Sequence, residues 1–194
     1  AGLAVRDGDN LAEVVKATGR LKNLSEKTDN GNALIGSCGI GHTRWATHGV
    51  PSQTNAHPHV SGNCTGSGSG SVESDVVGVH NGIIENYSKI KSFLESKGYV
   101  FESQTDTETV AKLLDYYYNG NPMETIENVL DDIEGSYALG ILFKDFPDTV
   151  YAVRKDSPLI VGVGEDEAFI ASDVPAFLKF TNKYYLLEQD EIVI

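Results

Sequence analysis

The side chains that could take part in chemistry are concentrated in four short segments of the chain. In chain order these are GHTRWATHG (41–49), NAHPH (55–59), HNGIIEN (80–86) and TDTE (105–108). They contain all five histidines and the only tryptophan. Imidazole, guanidinium, amide and carboxylate groups bind charged substrates, transfer protons or hold metal ions. This concentration is the first indication of a functional site.

Two charged residues in these segments could bind opposite ends of a substrate. Arg44 is expected near a strand end, where its planar guanidinium suits a carboxylate. Asp106 could accept a substrate ammonium group. Both also have an ordinary interpretation, since Arg44 could be a surface arginine stacked on Trp45. Asp106 could be an acid favoured in the first turn of a helix by the helix dipole.

The dipeptide Asn81-Gly82 has two interpretations. Asn-Gly after an apolar run is a strong signal for a β-hairpin turn. The residues that follow lead into a helix, however, and not into a returning strand. An asparagine amide and a glycine N–H at a strand end could instead converge on a developing negative oxygen, as in an oxyanion hole. Glycine would let a substrate approach the backbone closely.

The histidines allow a third kind of chemistry. His57 and His59 would lie on one face of a strand, and His42, His48 and His80 could complete a zinc site in a metal-dependent hydrolase. No carboxylate is spaced as in a recognisable zinc motif, so we expect neither a metal nor a cofactor. Taken singly, His48 is more typical of a hydrogen-bonded structural histidine.

The elements that must position these residues form three blocks. Strands are predicted first, then three helices, then a series of short strands, which favours an α+β fold with antiparallel sheets and helices packed outside. The predicted strands are Ala1–Arg6, Ser37–Arg44, Tyr137–Phe143, Val150–Arg154, Leu159–Val163, Ala168–Ala171, Tyr184–Leu187 and Ile192–Ile194.

Each predicted helix has a start or stop signal. Ile84, Tyr87, Ile90 and Leu94 recur at helical spacing before Gly98. The sequence TDTE from Thr105 predicts a capping box, with Val110, Leu113, Leu114 and Tyr117 on one face. A third helix is predicted from Pro122, with Ile126, Val129, Leu130 and Ile133 inward.

The stretch from Ser61 to Asp75 contains TGSGSGS and predicts a mobile surface loop between two strands. Thr65–Ser71 carries no indication of function. Of the two cysteines, Cys38 is expected to be a small buried apolar side chain, and Cys64 an exposed residue of this loop.

Composition limits the class of protein. The chain of 194 residues is long enough for one well-buried domain. The sequence contains no run of eighteen apolar residues, so we do not expect a transmembrane helix. The net charge of −13 argues against a surface that binds nucleic acid. Two cysteines do not make a disulfide framework, so we expect a reduced, cytoplasmic protein.

In this order the four segments resemble the glutaminase domain of amidotransferases with an N-terminal nucleophile, in particular the glutamine–fructose-6-phosphate aminotransferases. The resemblance continues through RKDSPLIVGVG (154–164) and FIASD (169–173), and so covers the chain. It implies a four-layer αββα sandwich, with two antiparallel sheets flanked by helices. It also implies that glutamine is hydrolysed to glutamate and ammonia, which a C-terminal isomerase domain uses to convert fructose 6-phosphate to glucosamine 6-phosphate. The full protein is expected to be a homodimer.

The resemblance also implies roles for individual residues. Arg44, helped by the backbone around Thr47 and His48, would bind the α-carboxylate of glutamine. Asp106 and the Gly82 carbonyl would hold the α-ammonium group. The Asn81 amide and the Gly82 N–H would form an oxyanion hole. Trp45 would help to gate the path of ammonia, and His57 would have a structural or positioning role.

The nucleophile departs from the pattern of the family. There it is an N-terminal cysteine in a Cys-Gly-Ile start, whose free α-amine acts as base. Residue 1 here is alanine, and Cys38-Gly39-Ile40 lacks a free amine, so Cys38 is not assigned as nucleophile. We expect the cysteine, with a first strand and helix, upstream of Ala1, and we expect the 194 residues alone to be inactive.

Two further readings stay open. One is the glutaminase domain of a different amidotransferase, such as phosphoribosylpyrophosphate amidotransferase. The segments HTRWATHG and NAHPH are less similar to that family. The other is a module that binds glutamine or glutamate through Arg44 and Asp106 but hydrolyses nothing.

Overall fold

The structure, a computed structural model, describes residues 1–8, 12–44, 49–62, 70–72 (backbone alone) and 74–194. Within these residues the strands are β1 Gly2–Arg6, β2 Ala12–Lys16, β3 Cys38–His42, β4 His59–Val60, β5 Gly70–Val72, β6 Val76–Ile84, β7 Gly135–Phe143, β8 Tyr151–Lys155, β9 Ile160–Val163, β10 Ala168–Ala171, β11 Tyr184–Leu186 and β12 Ile192–Val193. The α-helices are α1 Leu21–Lys27, α2 Tyr87–Ser96, α3 Asp106–Tyr117 and α4 Pro122–Asp132.

The strands form three sheets in which every strand pair is antiparallel. Their orders are β3-β1-β2-β5, β12-β8-β7-β6-β4 and β10-β9-β11. The longest ladder joins β6 to β7, from the pair Val76–Phe143 to the pair Ile84–Gly135. This ladder is the centre of the five-stranded sheet, and it carries the Asn81-Gly82 dipeptide.

Alternation along the central strands separates two cores, because successive side chains of a strand point to opposite faces. On β7, Leu139, Ile141 and Phe143 pack against the helices, together with Leu94, Leu113 and Val129. Leu142 packs the other way, against residues of the four-stranded sheet that include Ala4, Val14 and Ile40. The helices α2 to α4 therefore cover one face of the five-stranded sheet, and the four-stranded sheet covers the other.

The three predicted helices are confirmed, with one correction at the start of α2. Ile84 belongs to β6 and not to the helix, which begins at Tyr87. Gly98 has a φ of 94° and follows the end of α2, as expected for a glycine that terminates a helix. Pro122 occupies the first turn of α4, whose N-cap Asn121 accepts a hydrogen bond from the N–H of Glu124.

The predicted capping box at α3 is formed only in part. Thr105 accepts a hydrogen bond from the N–H of Glu108. The Glu108 carboxylate does not return to Thr105 but accepts N–H groups of Glu102 and Ser103, at 3.0 and 2.6 Å. It also lies 3.7 Å from the ammonium group of Lys112, which donates to the carbonyl of Ser61 at the end of β4. These contacts fix the first turn of α3 against β4.

Other elements differ from the sequence-based expectation. The strand β2 and the helix α1 were not predicted, because neither segment has a strong periodic pattern. The expected loop at 61–75 is wrong in part, since Gly70–Val72 forms β5 and pairs with β2. Residues 63–69, which include Cys64, lie outside the described residues. No helix in the described part of the chain is both long and apolar enough to cross a membrane.

Replacing Glu108 by alanine should destabilise the fold strongly. Lys112 is 1% exposed, and it would remain buried without its carboxylate partner. We expect a loss of about 3–5 kcal/mol in the free energy of unfolding, measured by urea denaturation.

Glu124 provides a matched control, because it occupies the same third position of α4 but is exposed. Glu124→Ala should cost less than about 1 kcal/mol, as is usual at exposed sites. Equal losses in the free energy of unfolding for the two variants would show that the buried Glu108–Lys112 pair contributes no more to stability than an exposed glutamate.

Candidate functional site

A cleft of about 640 Å³ opens where β3, β6 and the N-terminus of α3 meet. Most of its lining comes from the segments that the sequence singled out. The lining residues are His42, Thr43, Arg44, His57, His80, Asn81, Gly82, Ile83, Asp106, Thr107 and Ser136.

Asp106 lies in this cleft as the first residue of α3 and is 5% exposed. One of its carboxylate oxygens, Oδ2, accepts a hydrogen bond of 3.0 Å from the backbone N–H of Ile84. The same oxygen lies 3.8 Å from Nδ1 of His80. A carboxylate at a helix N-terminus is stabilised by the helix dipole. Strand β6 and helix α3 together therefore hold a negative group at the cleft.

Asn81 and Gly82 lie within β6, so neither a hairpin turn nor a strand end is found at this dipeptide. Their partners across the ladder are Ala138 and Tyr137 of β7. The φ of Gly82 is 136°, a conformation that other residues rarely adopt. A Cβ atom there would also stand 2.0 Å from the carbonyl oxygen of Ser136. Glycine is therefore required on two independent grounds.

Arg44 follows the end of β3, as the sequence predicted, and is half-buried at the cleft. Its guanidinium group donates a hydrogen bond of 3.3 Å to the carbonyl of Gly49. Partial burial lowers the pKa of Arg44 below its ordinary value, and the negative charge of Asp106 opposes this effect. The cleft therefore has a cationic group and an anionic group that interact through their charges.

Four histidines lie beside this charged pair. The rings of His42 and His57 are 4.3 Å apart between centroids, and those of His57 and His59 are 5.1 Å apart. His59 contacts the Thr105 hydroxyl through Nε2 at 3.0 Å. The Thr107 hydroxyl lies between two rings, 2.8 Å from Nε2 of His57 and 3.1 Å from Nδ1 of His80.

Burial makes these histidines weak bases. It is the main cause that lowers the pKa of His42 to about 4, with the positive charge of Arg44 contributing. It also lowers the pKa of His57 and of His59 well below 6.5, and it lowers that of His80 even though Asp106 acts in the opposite direction. The cluster is therefore neutral near pH 7, and its rings act as hydrogen-bonding groups.

The structure brings together Arg44, Asn81, Gly82 and Asp106 of the predicted site residues. The predicted residues Trp45, Thr47 and His48 lie outside the described residues. His57 also lines the cleft. Its contacts are with other histidine rings and with the Thr107 hydroxyl.

Cys38 lies at the opposite end of β3 from His42, roughly 13 Å away at the rise of a strand. It is half-buried and not fully buried as expected. Burial raises the pKa of its thiol, and Asp148 adds to this effect. Both position and pKa separate Cys38 from the chemistry of the cleft.

His57 and His59, two of the histidines in the zinc site considered above, make other contacts in the structure. His57 and His59 each direct Nε2 at a threonine hydroxyl. Within the described ranges, no group of three or more His, Cys, Asp or Glu side chains is arranged to hold a metal ion.

Sequence reasoning missed Thr107 and Ser136, which both line the cleft. Thr107 follows Asp106 in the TDTE segment, and its position in the first turn of α3 was the available signal. Ser136 faces Ile83 across the β6–β7 ladder. Only the register of that ladder reveals its position, and the sequence does not specify the register.

A family model described as a glutamine amidotransferase domain matches residues 68–179, which is more than half of the chain. The chain belongs to the glutamine amidotransferase domain family. The matched residues include the Asn81-Gly82 dipeptide and Asp106.

The amidotransferase chain is also similar along its whole length to curated proteins named glutamine–fructose-6-phosphate aminotransferase [isomerizing]. It is 52% identical over 195 residues to the protein of Caldanaerobacter subterraneus subsp. tengcongensis. It is 46% identical over 196 residues to the protein of Thermococcus kodakarensis. The alignments cover 100% of this chain but only 30% and 31% of the two relatives. The chain therefore spans about a third of their length.

Solved structures confirm the expected fold of the N-terminal nucleophile hydrolases. Glutamine phosphoribosylpyrophosphate amidotransferase from B. subtilis, complexed with ADP and GMP, aligns with a TM-score of 0.76 at 26% identity. That alignment covers 98% of the amidotransferase chain and 39% of the other chain. A structure described as the allosteric regulatory enzyme of purine biosynthesis gives a TM-score of 0.75 at 25% identity.

Gly82→Ala should disrupt the amidotransferase fold at its central ladder. The new Cβ would meet the Ser136 carbonyl in a backbone conformation that already disfavours alanine. Gly98→Ala is the matched control, because Gly98 has a φ of 94° and a Cβ added there would meet no atom of the described residues within 4 Å.

In thermal or urea unfolding, Gly98→Ala should cost about 1–2 kcal/mol. Gly82→Ala should cost about 1–3 kcal/mol more, because β6 and β7 must separate locally. Similar costs for both variants would contradict the close approach at Gly82.

Acidification should destabilise the fold through the histidine cluster. Unfolding returns the ring pKa values to about 6.5, so between pH 6.5 and about 4 the unfolded chain binds protons that the folded chain does not. The free energy of unfolding should therefore decrease as the pH falls through this window, by up to about 1.4 kcal/mol per pH unit for each ring.

Urea unfolding at several pH values between 7.5 and 4.5 measures this dependence. His57→Gln should make the dependence shallower, since it removes one of the buried rings. A slope that is the same in His57→Gln and in the parent protein would show that His57 is not held neutral by the fold.

Proposed function

We propose that the cleft binds glutamine and that the protein hydrolyses its side-chain amide to glutamate and ammonia. The observation that carries this proposal is the position of Asp106, a buried carboxylate held by the Ile84 N–H beside Asn81 and Gly82. Membership of the glutamine amidotransferase domain family supplies the reaction class. In this proposal the 194 residues form one glutaminase domain.

The two charged groups of the cleft suit the two charges of an amino acid. Arg44 would bind the α-carboxylate of glutamine, and Asp106 would bind the α-ammonium group together with the Gly82 carbonyl. A guanidinium and a carboxylate form charge-assisted hydrogen bonds, which are stronger than neutral ones. Thr47 and His48 would assist with backbone groups, and Trp45 would gate the path of ammonia, as the family resemblance implies.

The β6–β7 ladder supports a role for the Gly82 backbone. Glu85 donates its N–H to Glu134 on the β7 side, whereas Ile84 donates its N–H to Asp106. In an antiparallel ladder the N–H and C=O groups alternate between the two sides of the strand. Ile84 therefore turns its N–H toward the cleft, and Gly82, two residues earlier on the same strand, lines that cleft.

Asn81 and Gly82 would stabilise the charge that develops in the reaction. A cysteine thiolate attacks the amide carbon of the glutamine side chain, and the carbonyl oxygen becomes an oxyanion. The Asn81 amide and the Gly82 N–H donate hydrogen bonds to this oxygen. The α-amine of the cysteine, which took the thiol proton, returns it to the amide nitrogen, so that ammonia leaves when the carbon–nitrogen bond breaks. Water then hydrolyses the thioester to glutamate.

The nucleophile in this proposal is not Cys38, which lies at the far end of β3 with a raised pKa. It is a cysteine with a free α-amine, outside the 194 residues, as the family resemblance implies. The 194 residues alone would then bind substrate without hydrolysing it.

The curated relatives support a proposal for the fate of the ammonia. Their name includes an isomerizing aminotransferase activity on fructose 6-phosphate, and they extend well beyond the region that this chain matches. We propose that the full-length polypeptide passes ammonia to a C-terminal isomerase domain that forms glucosamine 6-phosphate. We also propose that it acts in the cytoplasm as a homodimer. The relatives near 50% identity carry this name, whereas phosphoribosylpyrophosphate amidotransferase is less similar to this chain in sequence.

The clamp can be tested by calorimetric titration of the full-length protein with three ligands. L-Glutamate has both α-groups, glutarate lacks the α-ammonium, and 4-aminobutyrate lacks the α-carboxylate. Asp106→Asn should weaken glutamate binding by roughly 10- to 100-fold but leave the weak binding of glutarate unchanged. Arg44→Ala should weaken glutamate binding similarly but leave 4-aminobutyrate unchanged.

Exposed residues of the same charge, Arg20 and Asp131, provide controls in which Arg20→Ala and Asp131→Asn retain the parent affinity. The clamp assignment is wrong if Asp106→Asn weakens glutarate as much as it weakens glutamate.

The oxyanion role predicts a defect in catalysis and not in folding. Asn81→Ala should reduce kcat for glutamine hydrolysis by about 10²–10³-fold in the full-length protein, measured as glutamate release. Asn86 lies in the same motif, but its amide contacts the backbone of Asp132 and Glu134 away from the cleft. Asn86→Ala should therefore lower stability while keeping kcat. A kcat near that of the parent protein in Asn81→Ala would refute the assignment.

A further inference from the structure

We propose that Thr107 is a positioning residue for this site, because its single hydroxyl proton sets the tautomers of His57 and His80. The hydroxyl donates to one ring and accepts from the other, so only one of the two facing nitrogens, Nε2 of His57 and Nδ1 of His80, carries a proton. The catalytic consequence rests on the glutaminase activity proposed above, whereas this coupling of the tautomers does not.

The geometry requires an order of donation. The Thr107 oxygen lies 2.8 Å from Nε2 of His57 and 3.1 Å from Nδ1 of His80, and all three side chains are buried. A hydroxyl group has one proton, so Thr107 donates to one ring and must accept from the other. Because burial lowers the pKa of both rings, each is neutral and has a single N–H.

The tautomers of the two rings are therefore coupled. If Thr107 donates to His80, Nδ1 of His80 is a lone pair and the proton of the His57 ring is on Nε2. If Thr107 donates to His57, the proton of each ring is on Nδ1. In either order, only one of the two nitrogens that face the hydroxyl carries a proton.

Each order leaves one buried N–H without a partner among the described residues, on Nε2 of His80 in the first order and on Nδ1 of His57 in the second. The coupling of the two rings holds in both orders, because it follows from the single hydroxyl proton.

The Thr107 hydroxyl connects two elements around the reacting groups. Thr107 is on α3 next to Asp106, and His80 is on β6 next to Asn81. Without the threonine hydroxyl, the His80 ring loses the hydrogen-bond partner that fixes its orientation. The peptide that carries Asn81 and Gly82 would then lose part of its support, while Asp106 would keep its hydrogen bond from Ile84.

This separation predicts an effect on kcat and not on KM. Thr107→Val should lower kcat for glutamine hydrolysis by roughly 10- to 100-fold, because small misplacements of catalytic groups have effects of this size. KM should stay within about threefold, since the clamp is retained. Thr107→Ser keeps the hydroxyl and should restore kcat to within about threefold of the parent protein.

Thr109 offers a matched control on the same helix. It is fully buried and, within the described part of the molecule, its hydroxyl has no hydrogen-bond partner, so Thr109→Val removes a buried hydroxyl without breaking a hydrogen bond. It should leave both kcat and KM unchanged. A loss of kcat in Thr109→Val equal to that in Thr107→Val would indicate a general packing effect and overturn the proposal.

Neutron diffraction from the deuterated full-length protein tests the shared hydroxyl directly and needs no activity. We expect deuterium on only one of the two nitrogens that face the hydroxyl, Nε2 of His57 and Nδ1 of His80. Deuterium on both or on neither would overturn the proposal, as would a Thr107→Ser variant as slow as Thr107→Val. If the parent protein hydrolyses no glutamine, the proposed function fails, and the diffraction result still decides the tautomers.

Discussion

The hydrogen bond from the Ile84 N–H to the Asp106 carboxylate is the constraint on which the rest of the site depends. It connects the last residue of β6 to the first residue of α3, so the central strand and the helix N-terminus share one buried contact. Strand β6 then continues its ladder with β7, and α3 is held against β4 through Glu108 and Lys112. A charged group can stay in this position only because both elements supply dipoles to it.

The histidine side chains near this contact are neutral because they are buried. Burial is the largest cause of the low pKa values of the four histidines, and the hydroxyls of Thr105 and Thr107 supply partners for three of the rings. A neutral imidazole with defined neighbours presents one donor and one acceptor, so its orientation is specified. The site is therefore a small charged pair supported by a larger set of neutral polar groups.

The sequence predicted the parts that depend on local pattern. Helical spacing and N-cap residues located α2, α3 and α4, and the motifs identified Arg44, Asn81, Gly82 and Asp106. It failed where tertiary pairing decides the outcome. Asn81-Gly82 has a strong local preference for a hairpin turn, but nine continuous pairs with β7 keep it inside a strand. Ser136 belongs to the site only through that register, and β2 and β5 exist through pairing with neighbouring strands.

The central claim is that this cleft holds an amino acid by its two α-groups, with Asn81 and Gly82 at the reacting amide. A crystal structure of the full-length protein with bound L-glutamate tests it most directly. The account predicts the α-ammonium group within hydrogen-bond distance of Asp106 and the Gly82 carbonyl, the α-carboxylate at Arg44, and the side-chain carboxylate facing the Asn81 amide. Glutamate bound elsewhere, or bound here with its α-ammonium group away from Asp106, would contradict it.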